Sequence, residues 1–84
     1  MTYQVIIKHS AEKELDALQT TIRERMIGRL LALEENPRPT GIKKLQGQES
    51  YRLRVGDYRV LYTIDDKSKQ VIVLAVGHRR EVYR

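Results

Sequence analysis

The feature that most constrains the fold of this chain is a predicted β-hairpin, which reads S-Y-R-L-R-V-G-D-Y-R-V-L-Y over residues 50–62. Alternating apolar and polar residues flank Gly56-Asp57, and a glycine at the first of two turn positions is typical of a type II′ hairpin turn. Side chains alternate between the two faces of a strand. One face should therefore meet a core through Tyr51, Leu53 and Val55. The opposite, exposed face should carry Arg52, Arg54 and Arg59.

The first half of the chain has the pattern of one strand followed by two helices. A run rich in β-branched residues predicts a strand from Tyr3 to Lys8. Ser10 is placed to cap a helix at about Ala11–Leu18. The capping-box pattern T-I-R-E predicts a second helix starting at Thr21. Apolar residues of that helix recur at helical spacing and are predicted to pack on a sheet: Ile22, Met26, Leu30 and Leu33, with Ile27 and Leu31 widening the stripe.

The second half of the chain predicts the rest of a sheet. Pro37 ends the second helix, and Thr40–Glu49 has the composition of a loop. After the hairpin, the apolar run Val71–Val76 predicts a central strand that is buried on both faces and ended by Gly77. The order β-α-α-β-β-β predicts an α+β fold, in which a helical hairpin packs on a four-stranded antiparallel sheet. The 84 residues suit a single domain, 1–84.

Positive charge is concentrated in the part of the chain that should form the sheet. The net charge is +5. Residues 1–37 carry five Lys/Arg and six Asp/Glu, a net of −1, whereas residues 38–84 carry eleven and five, a net of +6. A basic surface of this kind favours a polyanionic partner, either a nucleic acid or an acidic protein.

Several classes of site are not expected. The chain has no cysteine, and His9 and His78 are too far apart in sequence for a metal-ligand motif, so we expect no metal and no cofactor. No apolar run approaches the roughly 20 residues of a membrane-spanning helix, and no secretory signal is visible. These patterns predict a cytoplasmic protein without a membrane partner.

The basic hairpin suits the chemistry of RNA. Guanidinium groups bind phosphate bidentately, and tyrosine stacks on unpaired bases. The 2′-hydroxyl of RNA attacks the adjacent phosphorus when cations stabilise the pentavalent anion and a donor protonates the departing 5′-oxygen. The last strand should bring further candidates to the edge of the basic face: His78, Arg79, Arg80 and Tyr83. Arginine stays protonated, so His78 is the candidate proton shuttle.

Two segments together resemble the RelE/ParE superfamily of toxins from bacterial and archaeal toxin–antitoxin pairs. They are Y-R-L-R-V-G-D-Y-R-V-L-Y and V-I-V-L-A-V-G-H-R-R-E-V-Y, and the resemblance extends over nearly the whole chain. It implies a RelE-like endoribonuclease that cleaves mRNA in the ribosomal A site without a metal and is neutralised by a small antitoxin protein. The ParE branch shares the fold and poisons DNA gyrase, so a non-catalytic gyrase inhibitor is the alternative. A non-catalytic RNA-binding module is a third hypothesis.

The resemblance also implies a role for individual residues. Arg52 and Arg54 fall where RelE has a pair of lysines, one of them implicated as general base. Arg59 matches the arginine that stabilises the phosphate in the transition state. Arg79 matches the proposed general acid, and Tyr83 matches the tyrosine that stacks on or orients the substrate.

The arginine pair is a departure from RelE that leaves the identity of the base open. His78 is a candidate for that role, as a C-terminal histidine is in some relatives. Additional contacts to RNA are expected from Lys43, Lys44 and Arg80.

Overall fold

The structure is a computed structural model and describes residues 2–45 and 50–78. Its elements in chain order are β1 (Gln4–Ile7), α1 (His9–Asp16), α2 (Thr20–Ala32), β2 (Lys43–Lys44), β3 (Ser50–Val55), β4 (Tyr58–Asp65) and β5 (Gln70–His78). The strands form one five-stranded sheet in the order β1-β5-β4-β3-β2. The α+β class with a helical hairpin on a sheet is confirmed.

The number and pairing of the strands differ from the prediction. The segment 40–49 was expected to be a loop, but it contributes the short strand β2, in which Lys43 pairs with Arg52 and Lys44 pairs with Tyr51. Strand β1 pairs with β5 in parallel, so the sheet is mixed rather than antiparallel. Parallel neighbours need a long crossover connection. The two helices and the hairpin between β1 and β5 supply that connection.

The core lies between the two helices and one face of the sheet. It consists of small and medium-sized apolar side chains around one tyrosine: Ala11, Leu15, Met26, Leu30, Leu33, Leu53, Val55, Val60, Tyr62, Val71, Val73 and Val76. Burial of each Val or Leu side chain contributes about 1.5–3 kcal/mol relative to exposure. The predicted orientation of the hairpin is thus confirmed for Leu53 and Val55, which are both buried.

Strand β5 lies inside the sheet as predicted, but the prediction of burial on both its faces is wrong. Val71 and Val73 are buried against the helices, whereas Ile72 and Leu74 are half-buried. The reason is that the helices cover only one face. The strand also continues through Gly77 to His78, because residues 77 and 78 still pair with β4.

The starts of both helices were predicted at the wrong residues. Lys8 and Gln19 occupy the N-cap positions, and neither side chain makes a capping hydrogen bond. Helix α1 instead begins directly where β1 ends, because the amide of Lys8 donates to the carbonyl of Val73 at 3.0 Å and so still follows the sheet. The apolar stripe of α2 is narrower than predicted, since Ile27 and Leu31 are 38% and 55% exposed.

Candidate active site

Four basic side chains share the uncovered face of the sheet. Arg54 of β3 lies directly opposite Arg59 of β4, and Lys43 of β2 lies directly opposite Arg52 of β3. Directly paired residues on neighbouring strands have Cβ atoms about 4.5–5.5 Å apart and point to the same face. Together with Gly41 these residues line a shallow, open pocket of about 200 Å³. Three adjacent strands therefore bring four cations to one concavity.

The turn between β3 and β4 sets the register that builds this pocket. Gly56 has a φ of +60°, which is the conformation that a type II′ turn requires at its first central residue. A shift of one residue in this register would send every arginine of β3 to the covered face. The Nε of Arg54 also donates to the carbonyl oxygen of Gly56 at 3.1 Å. The predicted turn type and the predicted arginine face are both confirmed.

The described lining of the pocket is basic. Among residues 2–45 and 50–78 it contains one lysine and three arginines and no acidic side chain. Arg54 is exposed, whereas Arg52 and Arg59 are half-buried. Like charges held this close repel one another, so a bound anion gains from all of them at once. Guanidinium forks match the oxygens of a phosphate group in geometry as well as charge.

Only some of the site residues predicted from the sequence lie together in the structure. Arg52, Arg54, Arg59 and Lys43 converge at the pocket. Lys44 pairs with Tyr51, so its side chain leaves the sheet on the opposite side from Arg52. Three further candidates lie outside the described residues: Arg79, Arg80 and Tyr83.

His78 is not placed at the basic pocket. It pairs with Tyr58 across β4 and β5, one position beyond the pair of Arg59 with Gly77. The imidazole meets the ring of Tyr58 edge-on at 5.6 Å, and Tyr58 packs against the helix-covered core. Because successive residues of a strand alternate between faces, the continuation of β5 through Gly77 turns His78 away from Arg59. The sequence predicts His78 at the edge of the basic face, whereas the register of β5 directs its side chain to the side of the sheet that carries Tyr58.

A network at one end of the sheet anchors the segment that leads into β2. The buried hydroxyl of Tyr62 donates to the carbonyl oxygen of Pro37 at 2.9 Å. Burial raises the pKa of Tyr62 to about 12. The guanidinium of Arg38 donates to both carboxylate oxygens of Asp66, at 3.3 and 2.9 Å. These contacts fix the chain three to four residues before Gly41, which forms part of the pocket lining.

The pKa values in this network follow from its hydrogen bonds. The bonds from Arg38, and then that from the hydroxyl of Tyr3 at 2.6 Å, lower the pKa of Asp66 to about 2. The hydrogen bonds to Asp66 in turn raise the pKa of Arg38 above its ordinary value, and the bond to the hydroxyl of Tyr51 makes a smaller contribution. The pair is exposed, so water screens it and its effect on stability is small.

Sequence reasoning missed both Gly41 and this anchoring network. Gly41 has a φ of +96°, a conformation that residues with a side chain disfavour. The available signal in the sequence for this position was an isolated glycine shortly before the basic pair Lys43-Lys44. The network joins residues 62 and 37, and residues 38 and 66, which are far apart in sequence. No local pattern marks such pairs.

The structure also bears on metal sites and on membrane-spanning helices. Within residues 2–45 and 50–78, no group of three or more His, Cys, Asp or Glu side chains is arranged to hold a metal ion. Neither helix in that part of the chain has the length and apolar character needed to cross a membrane.

Comparison with known proteins identifies relatives along almost the whole chain. Residues 5–83 match the family described as "ParE toxin of type II toxin-antitoxin system, parDE". The mRNA interferase toxin RelE of Escherichia coli is 34% identical over 88 residues, which cover 99% of this chain and 92% of RelE.

Solved structures of toxin–antitoxin complexes share the fold. RelE in the RelE–RelB complex of Pyrococcus horikoshii is 34% identical, with a TM-score of 0.84 over 94% of this chain and 97% of that one. The toxin–antitoxin complex RelBE2 of Mycobacterium tuberculosis contains a chain that is 29% identical, with a TM-score of 0.83 over 94% of this chain and 100% of that one. The chain belongs to the RelE/ParE superfamily of type II toxin–antitoxin toxins.

Proposed function

We propose that this chain is a RelE-like toxin that cleaves mRNA at the ribosomal A site and so blocks translation. The observation that carries the proposal is the convergence of Lys43, Arg52, Arg54 and Arg59 on one open pocket. The name of the E. coli relative, an mRNA interferase toxin, supports the choice of substrate.

The proposed reaction uses the 2′-hydroxyl of the RNA as its own nucleophile. The 2′-oxygen bonds to the adjacent phosphorus while the bond from phosphorus to the 5′-oxygen breaks, which leaves a 2′,3′-cyclic phosphate and a 5′-hydroxyl. The guanidinium groups of Arg54 and Arg59, which lie opposite each other, bind the non-bridging oxygens. Their contribution grows as negative charge builds on those oxygens, so they favour the transition state over the ground state.

Proton transfer completes the reaction. Solvent water accepts the proton of the 2′-hydroxyl. Positive charge near the 2′-oxygen favours its deprotonated form, so the four cations of the pocket assist this step. By resemblance to RelE, Arg79 protonates the departing 5′-oxygen and Tyr83 orients the substrate. His78 has no part in this scheme, since its ring lies with Tyr58 on the other face of the sheet.

The proposed partners follow from the substrate and from the relatives. Cleavage at the A site requires the ribosome and a translated message, and therefore a cytoplasmic location. Relatives of known structure occur in RelB–RelE complexes, which supports a cognate antitoxin for this chain. An acidic segment of that antitoxin would neutralise the basic pocket by charge.

The competing hypothesis is inhibition of DNA gyrase without catalysis. It is favoured by the description of the matching family as ParE toxin. Both functions predict growth arrest, but only cleavage predicts new RNA ends that depend on the pocket arginines.

The experiment that separates them is induction of the chain in a bacterial host, with 5′ ends of a translated message mapped by primer extension. We expect new ends in phase with codons, and their loss in Arg59→Ala. Lys67→Ala is the matched control, because Lys67 is an exposed cation in the turn between β4 and β5. Intact message together with supercoiling-deficient DNA would replace the proposal with the gyrase reading.

A further inference from the structure

Helix α2 has two exposed flanks of different character. Its buried side faces the core through Met26, Leu30 and Leu33. With about 3.6 residues per turn, one flank combines two arginines with two small residues: Arg25, Gly28, Arg29 and Ala32. The other flank carries Glu24, Ile27 and Leu31.

The arginine flank faces away from helix α1. The guanidinium of Arg23, which lies toward the other flank, reaches the carbonyl oxygen of Asp16 in α1 at 3.3 Å. On the arginine flank, Nη1 of Arg25 lies 3.9 Å from the position that a Cβ atom on Gly56 would occupy. Arg25 therefore reaches the turn between β3 and β4.

That same turn is in contact with the basic pocket. Arg54, which lines the pocket, donates from Nε to the carbonyl oxygen of Gly56 at 3.1 Å. Two guanidinium groups thus lie at Gly56: that of Arg54 is hydrogen-bonded to its carbonyl oxygen, and that of Arg25 lies beside it. Guanidinium groups therefore lie on both sides of the hairpin turn, that of Arg54 toward the open face of the sheet and that of Arg25 toward helix α2.

The two arginines on this flank of α2 form no ion pair within the part of the chain that the structure describes. Arg25 and Arg29 take no part in the ion pairs His9–Glu12 and Arg38–Asp66. Asp57 follows Gly56 in the turn, and no ion pair joins it to Arg25 within residues 2–45 and 50–78.

We propose that Arg25 and Arg29 form a second anion-binding surface that contacts the phosphate backbone of folded RNA. The inference rests on the proposed function: the pocket acts on the message, while this surface holds the toxin on ribosomal RNA. Arg25 and Arg29 are one turn apart along the helix, about 6 Å, and spaced cations are what backbone contacts require.

An RNA backbone fits this flank better than an acidic protein does. Protein interfaces are centred on large apolar or aromatic side chains that bury in a pocket of the partner. The residues between and beside the two arginines are Gly28 and Ala32, and nothing lies within 4 Å of the place where a Cβ atom on Gly28 would be. The flank therefore offers charge and close approach without an apolar anchor.

Binding measurements in an Arg59→Ala background test this surface without cleavage. The probe is a fluorescent 20-base-pair RNA duplex, titrated by anisotropy at several salt concentrations. We expect Arg25→Gln/Arg29→Gln to bind about threefold to tenfold more weakly. The slope of log K against log salt should be shallower by about 1.4–1.8, which is about 0.7–0.9 for each lost contact.

Two matched variants sharpen the result. Arg23→Gln removes one positive charge from the same helix, on the side toward α1. The resulting change in log K should be less than half of the change caused by Arg25→Gln/Arg29→Gln. Asp57→Asn removes the acidic neighbour and should tighten binding. An equal loss in Arg23→Gln and the double variant, or no loss in either, would overturn the proposal. So would weaker binding of poly-glutamate with unchanged binding of the duplex, which would indicate an acidic protein instead.

A kinetic experiment separates this inference from the proposed function. In the protein with Arg59 intact, the double variant should raise KM for ribosome-bound message and leave kcat and the melting temperature unchanged. A fall in kcat at unchanged KM would refute the surface as a binding element. If the unaltered chain leaves message intact, the proposed function fails, while the duplex titrations still decide for or against the surface.

Discussion

The two faces of the sheet are made by the same strands but do different work. Leu53 lies between Arg52 and Arg54 on β3, and Val60 follows Arg59 on β4. Leu53 and Val60 are buried under the helices, whereas the three arginines line the pocket on the uncovered face. Neighbouring residues therefore belong to environments that differ in water content, charge and tolerance of change.

This contrast teaches that one register serves both stability and chemistry. Burial of the alternate apolar residues fixes which way the strand faces, and the arginines take the other face as a consequence. The core thereby holds the arginine side chains together against their mutual repulsion. Substitutions on the two faces should accordingly have effects that are separable by measurement.

The largest effect is expected from Arg59→Ala on the uncovered face. Removal of a group that stabilises charge in the transition state should lower the rate of cleavage of ribosome-bound message by about 10²–10³-fold. The midpoint of urea unfolding should change little, because the side chain lies outside the core. Single-turnover cleavage with purified ribosomes measures the rate. A rate within threefold of that of the unaltered protein would contradict the role of Arg59.

On the covered face, Leu53→Ala should act on stability instead. Removal of a buried leucine leaves a cavity and lowers the free energy of unfolding by about 2–5 kcal/mol. Urea denaturation measures this change. Cleavage per folded molecule should stay the same, and a loss of rate comparable to that of Arg59→Ala in fully folded protein would show that the two faces are not separable.

A smaller effect is expected from Tyr62→Phe, which removes the hydroxyl that bonds to the carbonyl of Pro37. Leaving a buried carbonyl without its donor costs about 1–3 kcal/mol. The matched control is Tyr51→Phe, because the hydroxyl of Tyr51 accepts a long, exposed bond from Arg38 at 3.4 Å. Equal destabilisation of the two variants in urea would contradict a special role for the buried bond.

The smallest effect concerns pH and the exposed pair of Arg38 with Asp66. The folded protein lowers the pKa of Asp66 to about 2 from the ordinary 3.8. The stabilisation is therefore fully present above about pH 4 and is lost as pH falls toward 2. Over this range the stability of the unaltered protein should decline more steeply than that of Asp66→Asn, as measured by thermal melting. Parallel declines would show that the pair does not affect stability.

The sequence predicted those features that depend on local periodicity. The hairpin has a clear alternation and a glycine turn, so its register, its buried side and its arginine face were all predictable. The parallel pairing of β1 with β5 was not predictable, because nothing within Gln4–Ile7 encodes a neighbour at Gln70–His78. The side of the sheet that His78 faces depends on where β5 ends. Gly77 was taken as the end of the strand, but β5 continues through it because residues 77 and 78 still pair with β4.

The site was predictable to the extent that it lies on the hairpin. Arg52, Arg54 and Arg59 were found from alternation alone. Lys43 lines the pocket and Lys44 does not. This difference follows from the pairing of the two-residue strand β2 with β3, which the sequence pattern did not predict. The position of Gly41 in the pocket lining was not predictable, because the segment that carries it is anchored by a hydrogen bond between Tyr62 and Pro37, which are distant in sequence.

The most direct test of the central claim is the chemistry of the RNA ends. The cleaved site in a ribosome-bound message is first mapped, and the message is then prepared with a 2′-deoxynucleotide on the 5′ side of that bond. Cleavage through the 2′-oxygen predicts a 2′,3′-cyclic phosphate and a 5′-hydroxyl with the normal message, and no cleavage with the modified one. Continued cleavage of the modified message, or 5′-phosphate ends with the normal one, would contradict the account.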